Sequence, residues 1–123
     1  MPQPKTRLAV VDDDASVRKA LGRILSIADF EVETFACARE LLGALEHRTY
    51  NCLVIDLQLP EVSGLELFTR LRETSVTIPA IFITAQAEAS SRQRCKAAGA
   101  SAFLLKPLKE LVLVSAIKAA LLR

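Results

Sequence analysis

Three acids in a row, Asp12-Asp13-Asp14, a lone acid at Asp56, a hydroxyl at Thr84 and an ammonium at Lys106 each follow directly on a short apolar run. Oxygen ligands without a His or Cys cluster suit a hard divalent cation, magnesium rather than zinc. Carboxylates gathered in one place repel one another and raise each other's pKa values, unless a cation or the Lys106 ammonium relieves them. Mg²⁺ held by one or two carboxylates keeps positions open for water and a phosphoryl oxygen. To that phosphoryl group Thr84 can donate a hydrogen bond and Lys106 can add positive charge. An Asp carboxylate is a competent nucleophile towards phosphorus in such a setting, so the chemistry reads as Mg²⁺-dependent formation of an aspartyl phosphate. Asp56, alone after its apolar run, is the favoured acceptor. The adjacent Asp12 and Asp13 suit metal binding, one directly and the other through water. Spacing favours this division without deciding it.

That chemistry requires the four places to meet, and the intervening segments say how they could. Leu8 to Val11, Val32 to Phe35, Cys52 to Ile55, Ala80 to Ile83 and Ala102 to Leu105 read as five short strands, most of them continuous apolar runs. Between them, Val17, Ala20, Leu21, Ile24, Leu25 and Ala28 recur at helical spacing, as do Leu41, Leu42 and Leu45, then Leu65, Leu67, Phe68 and Leu71. A more polar helix is expected from Glu88 to Ala98 and a last one from Leu108 to Leu122. Asp13 or Asp14 can cap the first helix, Ser63-x-x-Glu66 is a capping box for the third, and Gly99 is placed to end the fourth. Five strand–helix units in series predict an α/β fold, a parallel sheet with helices on both faces. In such sheets ligands sit beyond the carboxyl ends of the strands, near the topological switch point. Asp12, Asp13, Asp56, Thr84 and Lys106 all fall at those ends.

Composition narrows the classes further. The chain is 51% hydrophobic and 24% charged, which describes one globular domain over residues 1–123 rather than a disordered tail. Sixteen Lys and Arg against 14 Asp and Glu leave a net charge of +2, too little to argue for nucleic-acid binding by field alone. No apolar run approaches the roughly 18 residues of a membrane span, and the first residues lack a signal-peptide core. Cys37, Cys52 and Cys95 form no CxxC pair and fit a reducing compartment, so the expected location is cytoplasmic, with the thiols as small packing residues. His47 has no second His near it and reads as solvated. Arg92, Arg94 and Lys96 read as a solvated helix face.

Taken together, Val10-Val11-Asp12-Asp13-Asp14, Val54-Ile55-Asp56-Leu57-Gln58-Leu59-Pro60 with Ser63-Gly64, Ile83-Thr84-Ala85 and Lys106-Pro107 resemble the receiver domain of bacterial two-component response regulators. The resemblance covers essentially the whole chain, and around Val10–Leu25 and Leu59–Leu67 the pattern is similar to receivers attached to LuxR-type DNA-binding domains. It implies a (βα)5 flavodoxin-like fold with strand order 2-1-3-4-5. It implies phosphorylation of Asp56 by a sensor histidine kinase, with Asp13, Asp56 and the Gln58 backbone carbonyl as Mg²⁺ ligands and Asp12 assisting. Thr84 and Lys106 become the phosphoryl contacts, and Phe103 the aromatic whose rotation follows Thr84. The family's common Tyr is absent there, so packing alone must report the switch. The Lys106-Pro107 bond is expected to be cis. Gln58 and Gln86, two residues after the acceptor and the Thr, are expected to tune dephosphorylation.

A phosphoryl group adds charge and acceptor oxygens, and the surface of the fourth helix, fifth strand and fifth helix is expected to change in response. The last helix is apolar over more than a core stripe requires. Leu111, Val112 and Val114 mark a candidate homodimer interface, and receivers commonly pair there. Such a domain takes part in its own phosphotransfer and slow autodephosphorylation rather than acting as an enzyme. All five helices are used by the fold, so DNA would be reached only through an output domain absent from this chain. Other phosphate users fit less well. A haloacid-dehalogenase-type phosphatase needs an acid where Gln58 stands, an FMN protein would meet repulsion from Asp12-Asp13-Asp14, and a dinucleotide enzyme needs a glycine-rich first loop. The remaining rival is a receiver-like scaffold that signals by contact without phosphorylation.

Overall fold

The computed structural model describes residues 5–74, 76–86 and 88–122. Strands β1 (Arg7–Val11), β2 (Glu31–Phe35), β3 (Cys52–Asp56), β4 (Ala80–Thr84) and β5 (Ala102–Leu105) alternate with helices α1 (Ala15–Ile27), α2 (Ala38–Leu45), α3 (Gly64–Glu73), α4 (Ala89–Ala97) and α5 (Glu110–Leu121). The strands form one parallel sheet in the order β2-β1-β3-β4-β5, as expected. Apolar runs become strands here because both faces are covered. Ala9, Val11, Leu53, Ile55 and Phe82 point into a core closed by α2, α3 and α4. Leu8, Val10, Val54, Ile81 and Ile83 point into a second core closed by α1 and α5. The period of two along each strand sends alternate residues to opposite faces, so a run with no polar member is what this architecture needs.

Local signals set the helix ends. Asp14, not Asp13, caps α1: its carboxylate accepts from the backbone N–H of Ser16 at 2.9 Å and of Val17 at 3.4 Å. The Ser16 hydroxyl first, then those two backbone bonds, hold its carboxyl below the usual range. Ser63 caps α3 by accepting from Glu66 N. Gly99, at φ 100°, closes α4 with paired bonds from Gly99 N to Lys96 O and from Ala100 N to Cys95 O, a Schellman turn. Helix α1 ends in the same bond pattern, Asp29 N to Ser26 O and Phe30 N to Leu25 O, but with Asp29 at φ 72°. A side chain there is held in a left-handed conformation that glycine adopts without penalty. Asp29→Gly is therefore expected to raise stability, by about 0.5 kcal/mol, as read from the urea midpoint at unchanged m-value.

Two expectations shift. The last helix starts at Glu110 rather than Leu108, with Lys109 extended at its cap. Leu108 still packs on the second core, but from the loop, so its apolar character marks burial and not helix. Leu111 is 81% exposed and Val112 49%, whereas Val114 is half-buried against that same core, so the apolar strip on α5 is narrower than its sequence suggests. Cys52 and Cys95 are buried and all three thiols are free; burial pushes the Cys52 thiol up to about 12. His47 is exposed.

Candidate phosphoryl and metal site

Register carries the chemistry-bearing residues to one sheet edge. Val11 pairs with Ile55, so Asp12, one residue past β1, comes level with Asp56 at the end of β3. Thr84 ends β4 opposite Leu105, and Lys106 follows at once. Asp12 and Thr84 are fully buried and Asp56 is 3% exposed, while Asp13 is exposed. One carboxylate oxygen from each of Asp12, Asp13 and Asp56 can be chosen so that all three lie within 4.8 Å of one another. The Lys106 ammonium stands 3.3 Å from Asp56 Oδ2 and 2.8 Å from Asp12 Oδ2. Asp12 Oδ2 is buried, and among the described residues that ammonium is the polar partner it meets. The other Asp12 oxygen accepts from Asp14 N, and the Asp12 carbonyl accepts from the Arg18 guanidinium at 2.8 Å.

Three carboxylates against one ammonium leave the site short of positive charge. Burial first, and the Asp12 carboxylate second, hold the Asp56 carboxyl above its usual range, against the opposing pull of the Gln58 N–H and Lys106. Burial pulls the Lys106 ammonium down, but its Asp12 and Asp56 partners outweigh that and leave its pKa raised. An all-oxygen cluster whose buried Asp12 oxygen meets a single ammonium, with two further acids beside it, is what a hard cation would complete. Asp12, Asp13 and Asp56 therefore fit a metal.

The raised Asp56 pKa has a stability consequence. Folded Asp56 binds its proton more tightly than the unfolded chain does, so ionising it lowers stability above the folded value. Asp56→Asn removes that burden and is expected to stabilise the metal-free protein at pH 7 by about 1 kcal/mol. The gain should shrink as pH falls through the folded pKa of wild-type Asp56 towards 3.8. Paired urea titrations across that range check it, and a less stable Asn variant at pH 7 would contradict it.

The loop after β3 is held tightly to the site. Gln58 N donates to Asp56 Oδ1 at 3.1 Å, Leu57 N to Ile83 O, and Gly64 N to Leu57 O. Gly64 is required by close approach: a Cβ there would meet the Asp56 carbonyl oxygen far inside contact distance and Ile55 Cγ2 at 2.9 Å. On the β4 side, Thr84 Oγ1 donates to Gln58 Oε1 at 2.9 Å and accepts from Gln86 N at 3.2 Å. The Gln86 side chain itself is exposed. The Lys106-Pro107 bond is cis. Phe103 is half-buried at the rim of the first core, with the Arg92 guanidinium 5.2 Å from its ring centre.

Asp12, Asp13, Asp56, Gln58, Thr84 and Lys106 are thus brought together, while Phe103 lies on the neighbouring strand β5. Sequence reasoning assigned no role to Arg18 or to the bulk of Gly64, and read Arg92 as part of a solvated helix face. Arg18 lies six residues beyond Asp12 and Arg92 eleven before Phe103, spacings with no local signature. Gly64 stood in the quoted motif, but nothing in sequence tells a turn glycine from one forced by a neighbouring carbonyl.

Comparison with known proteins agrees with this geometry. The family model for the response regulator receiver domain matches residues 8–118. The chain is 37% identical over 116 residues to Nodulation protein W of Bradyrhizobium diazoefficiens, covering 94% of this chain and 51% of that one. It is 38% identical to the transcriptional regulatory protein TdiR of Thauera aromatica, over 91% of this chain and 49% of that one. Among solved structures it superposes on the response regulator StyR with a TM-score of 0.86 at 44% identity, over 97% of this chain and 60% of that one. The chain spans about half the length of the curated relatives it matches. No helix among the described residues is long and apolar enough to cross a membrane. With the acidic cluster, the Thr and the Lys standing at the carboxyl ends of a 2-1-3-4-5 sheet, this chain belongs to the response regulator receiver domain family.

Proposed function

We propose that this receiver is a phosphorylation switch of a two-component system, taking a phosphoryl group onto Asp56 from the phosphohistidine of a sensor histidine kinase. The observation that carries this reading is the juxtaposition of a nearly buried Asp56 with Lys106 at 3.3 Å and with two further acids. A carboxylate oxygen of Asp56 forms the new P–O bond as the P–N bond of the phosphohistidine breaks and the imidazole leaves. Asp12, Asp13 and Asp56, with the Gln58 backbone carbonyl, would hold Mg²⁺. When bound, the ion supplies positive charge to the carboxylates and the phosphoryl oxygens. The chain's own residues do the rest. Lys106 neutralises charge on the transferring group, Gln58 N orients the Asp56 carboxylate, and the Thr84 hydroxyl turns to donate to a phosphoryl oxygen.

When Thr84 turns, Phe103 fills the space it leaves, and the α4–β5–α5 surface changes. Exposed Leu111 and Val112 on that surface are the proposed homodimer contact. Two of the relatives are named as transcriptional regulators, TdiR and the phosphate regulon protein PhoB of Rhizobium meliloti. The proposed output is accordingly control of transcription through a DNA-binding half outside this chain, with the cytoplasm as the site of action. Incubation with Mg²⁺ and acetyl phosphate is expected to add one phosphoryl group by intact mass. EDTA should prevent the addition. Equal phosphorylation with and without the chelator would defeat the metal assignment, and none under any donor, kinase included, would defeat the switch.

A further inference from the structure

We infer that the Gln58 side chain is an off-state latch: its carboxamide oxygen holds the Thr84 hydroxyl away from Asp56 until a phosphoryl group competes for the same proton. This rests on the reading of Asp56 as phosphoryl acceptor. Thr84 is fully buried, and its hydroxyl has one proton to donate. That proton goes to Gln58 Oε1 at 2.9 Å, while Gln86 N supplies the hydroxyl's incoming bond at 3.2 Å. Gln58 also clasps Asp56 through its backbone N–H at 3.1 Å, so one residue grips both the acceptor and the group that must move to it. Phosphorylated and unphosphorylated chains thus differ in which acceptor takes the Thr84 proton. Losing the Gln58 acceptor removes a bond made only in the off state, and so shifts the resting population towards the on state. Gln58 is itself exposed, so its side chain can be changed with little demand on the core.

The test is a titration of the intact chain with beryllofluoride and Mg²⁺, a non-covalent phosphoryl mimic that cannot be hydrolysed, so effects on water attack do not enter. Binding is followed by the backbone amide resonances of Thr84 and Phe103. Gln58→Met, of similar length without the oxygen, and Gln58→Asn, too short to reach, should each half-saturate at about threefold lower concentration than wild type, the population effect of one modest hydrogen bond. In a Thr84→Val background, which has no proton to hold, the Gln58→Met advantage should vanish. An advantage that persists there, or variants no tighter than wild type, would overturn the latch. A wild type that binds while the variants merely match it removes the latch alone. A wild type that never binds beryllofluoride removes the phosphoryl-acceptor reading and the latch together.

Discussion

Lys106→Met will lose on the order of 100-fold in the rate of phosphoryl uptake, the usual scale for removing one preorganised charge from a transferring group. The metal-free protein will also be less stable at pH 7, by about 2 kcal/mol. The side chain is 20% exposed, so the loss is set below that for a fully buried pair, because water reaches the gap. Without the ammonium, Asp12 keeps a buried oxygen with neither hydrogen bond nor counter-charge, next to an Asp56 already held above its usual pKa. The sign with pH follows from the raised Lys106 pKa. Its contribution is present in full below the usual lysine value of 10.5 and is lost as pH rises through the higher folded value. The deficit of the Met variant should also shrink at acid pH, where Asp56, held above its usual range, takes up its proton, and on adding Mg²⁺, which substitutes for the missing charge. Urea unfolding of both proteins, with and without Mg²⁺, measures each part. A deficit that Mg²⁺ leaves unchanged would mean that the ammonium does not share its site with the metal.

Gly64→Ala is the second large effect, and it is steric. The added Cβ meets the carbonyl of Asp56, which is backbone and cannot rotate away as a side-chain end would. Either the start of α3 lifts, breaking the bond from Gly64 N to Leu57 O, or the end of β3 moves and carries Asp56 with it. Overpacking against main chain is expected to cost about 2–4 kcal/mol. Gly43→Ala is the internal control. Among the described residues outside the helix's own backbone, nothing lies within 4 Å of its Cβ in the last turn of α2, so replacing this helical glycine should stabilise by about 0.5 kcal/mol. Opposite signs for two Gly→Ala changes in one chain follow from contact geometry alone. Thermal unfolding of the pair checks it, and a neutral Gly64→Ala would show that α3 accommodates the methyl freely.

These contrasts also show which features are legible in sequence. A strand covered on both faces must be apolar throughout, so the runs ending at Val11, Ile55 and Ile83 announce themselves, and the polar residue after each marks a strand end. Five such units limit the topology, which is why residues 44 positions apart, such as Asp12 and Asp56, could be expected side by side. The finer wiring is not written locally. Thr84 and Gln58 are 26 residues apart and meet only because β3 and β4 are neighbours in one particular register. Val114 and Leu108 show the opposite failing: apolar character says that a residue prefers burial, but not whether helix or loop delivers it, nor whether core or partner receives it. Asp13 and Asp14 are alike in composition and differ only in where the first turn of α1 begins.

The most direct test of Asp56 as acceptor is chemical trapping. Phosphorylate the chain with Mg²⁺ and a phosphodonor, reduce it with borohydride, and map the product by peptide mass spectrometry. An aspartyl phosphate is reduced at its acyl carbon to homoserine, so the geometry predicts homoserine at position 56, and none in Asp56→Asn. Homoserine at Asp12 or Asp13 instead, or an intact Asp56 in a chain that has gained a phosphoryl group, would contradict the assignment.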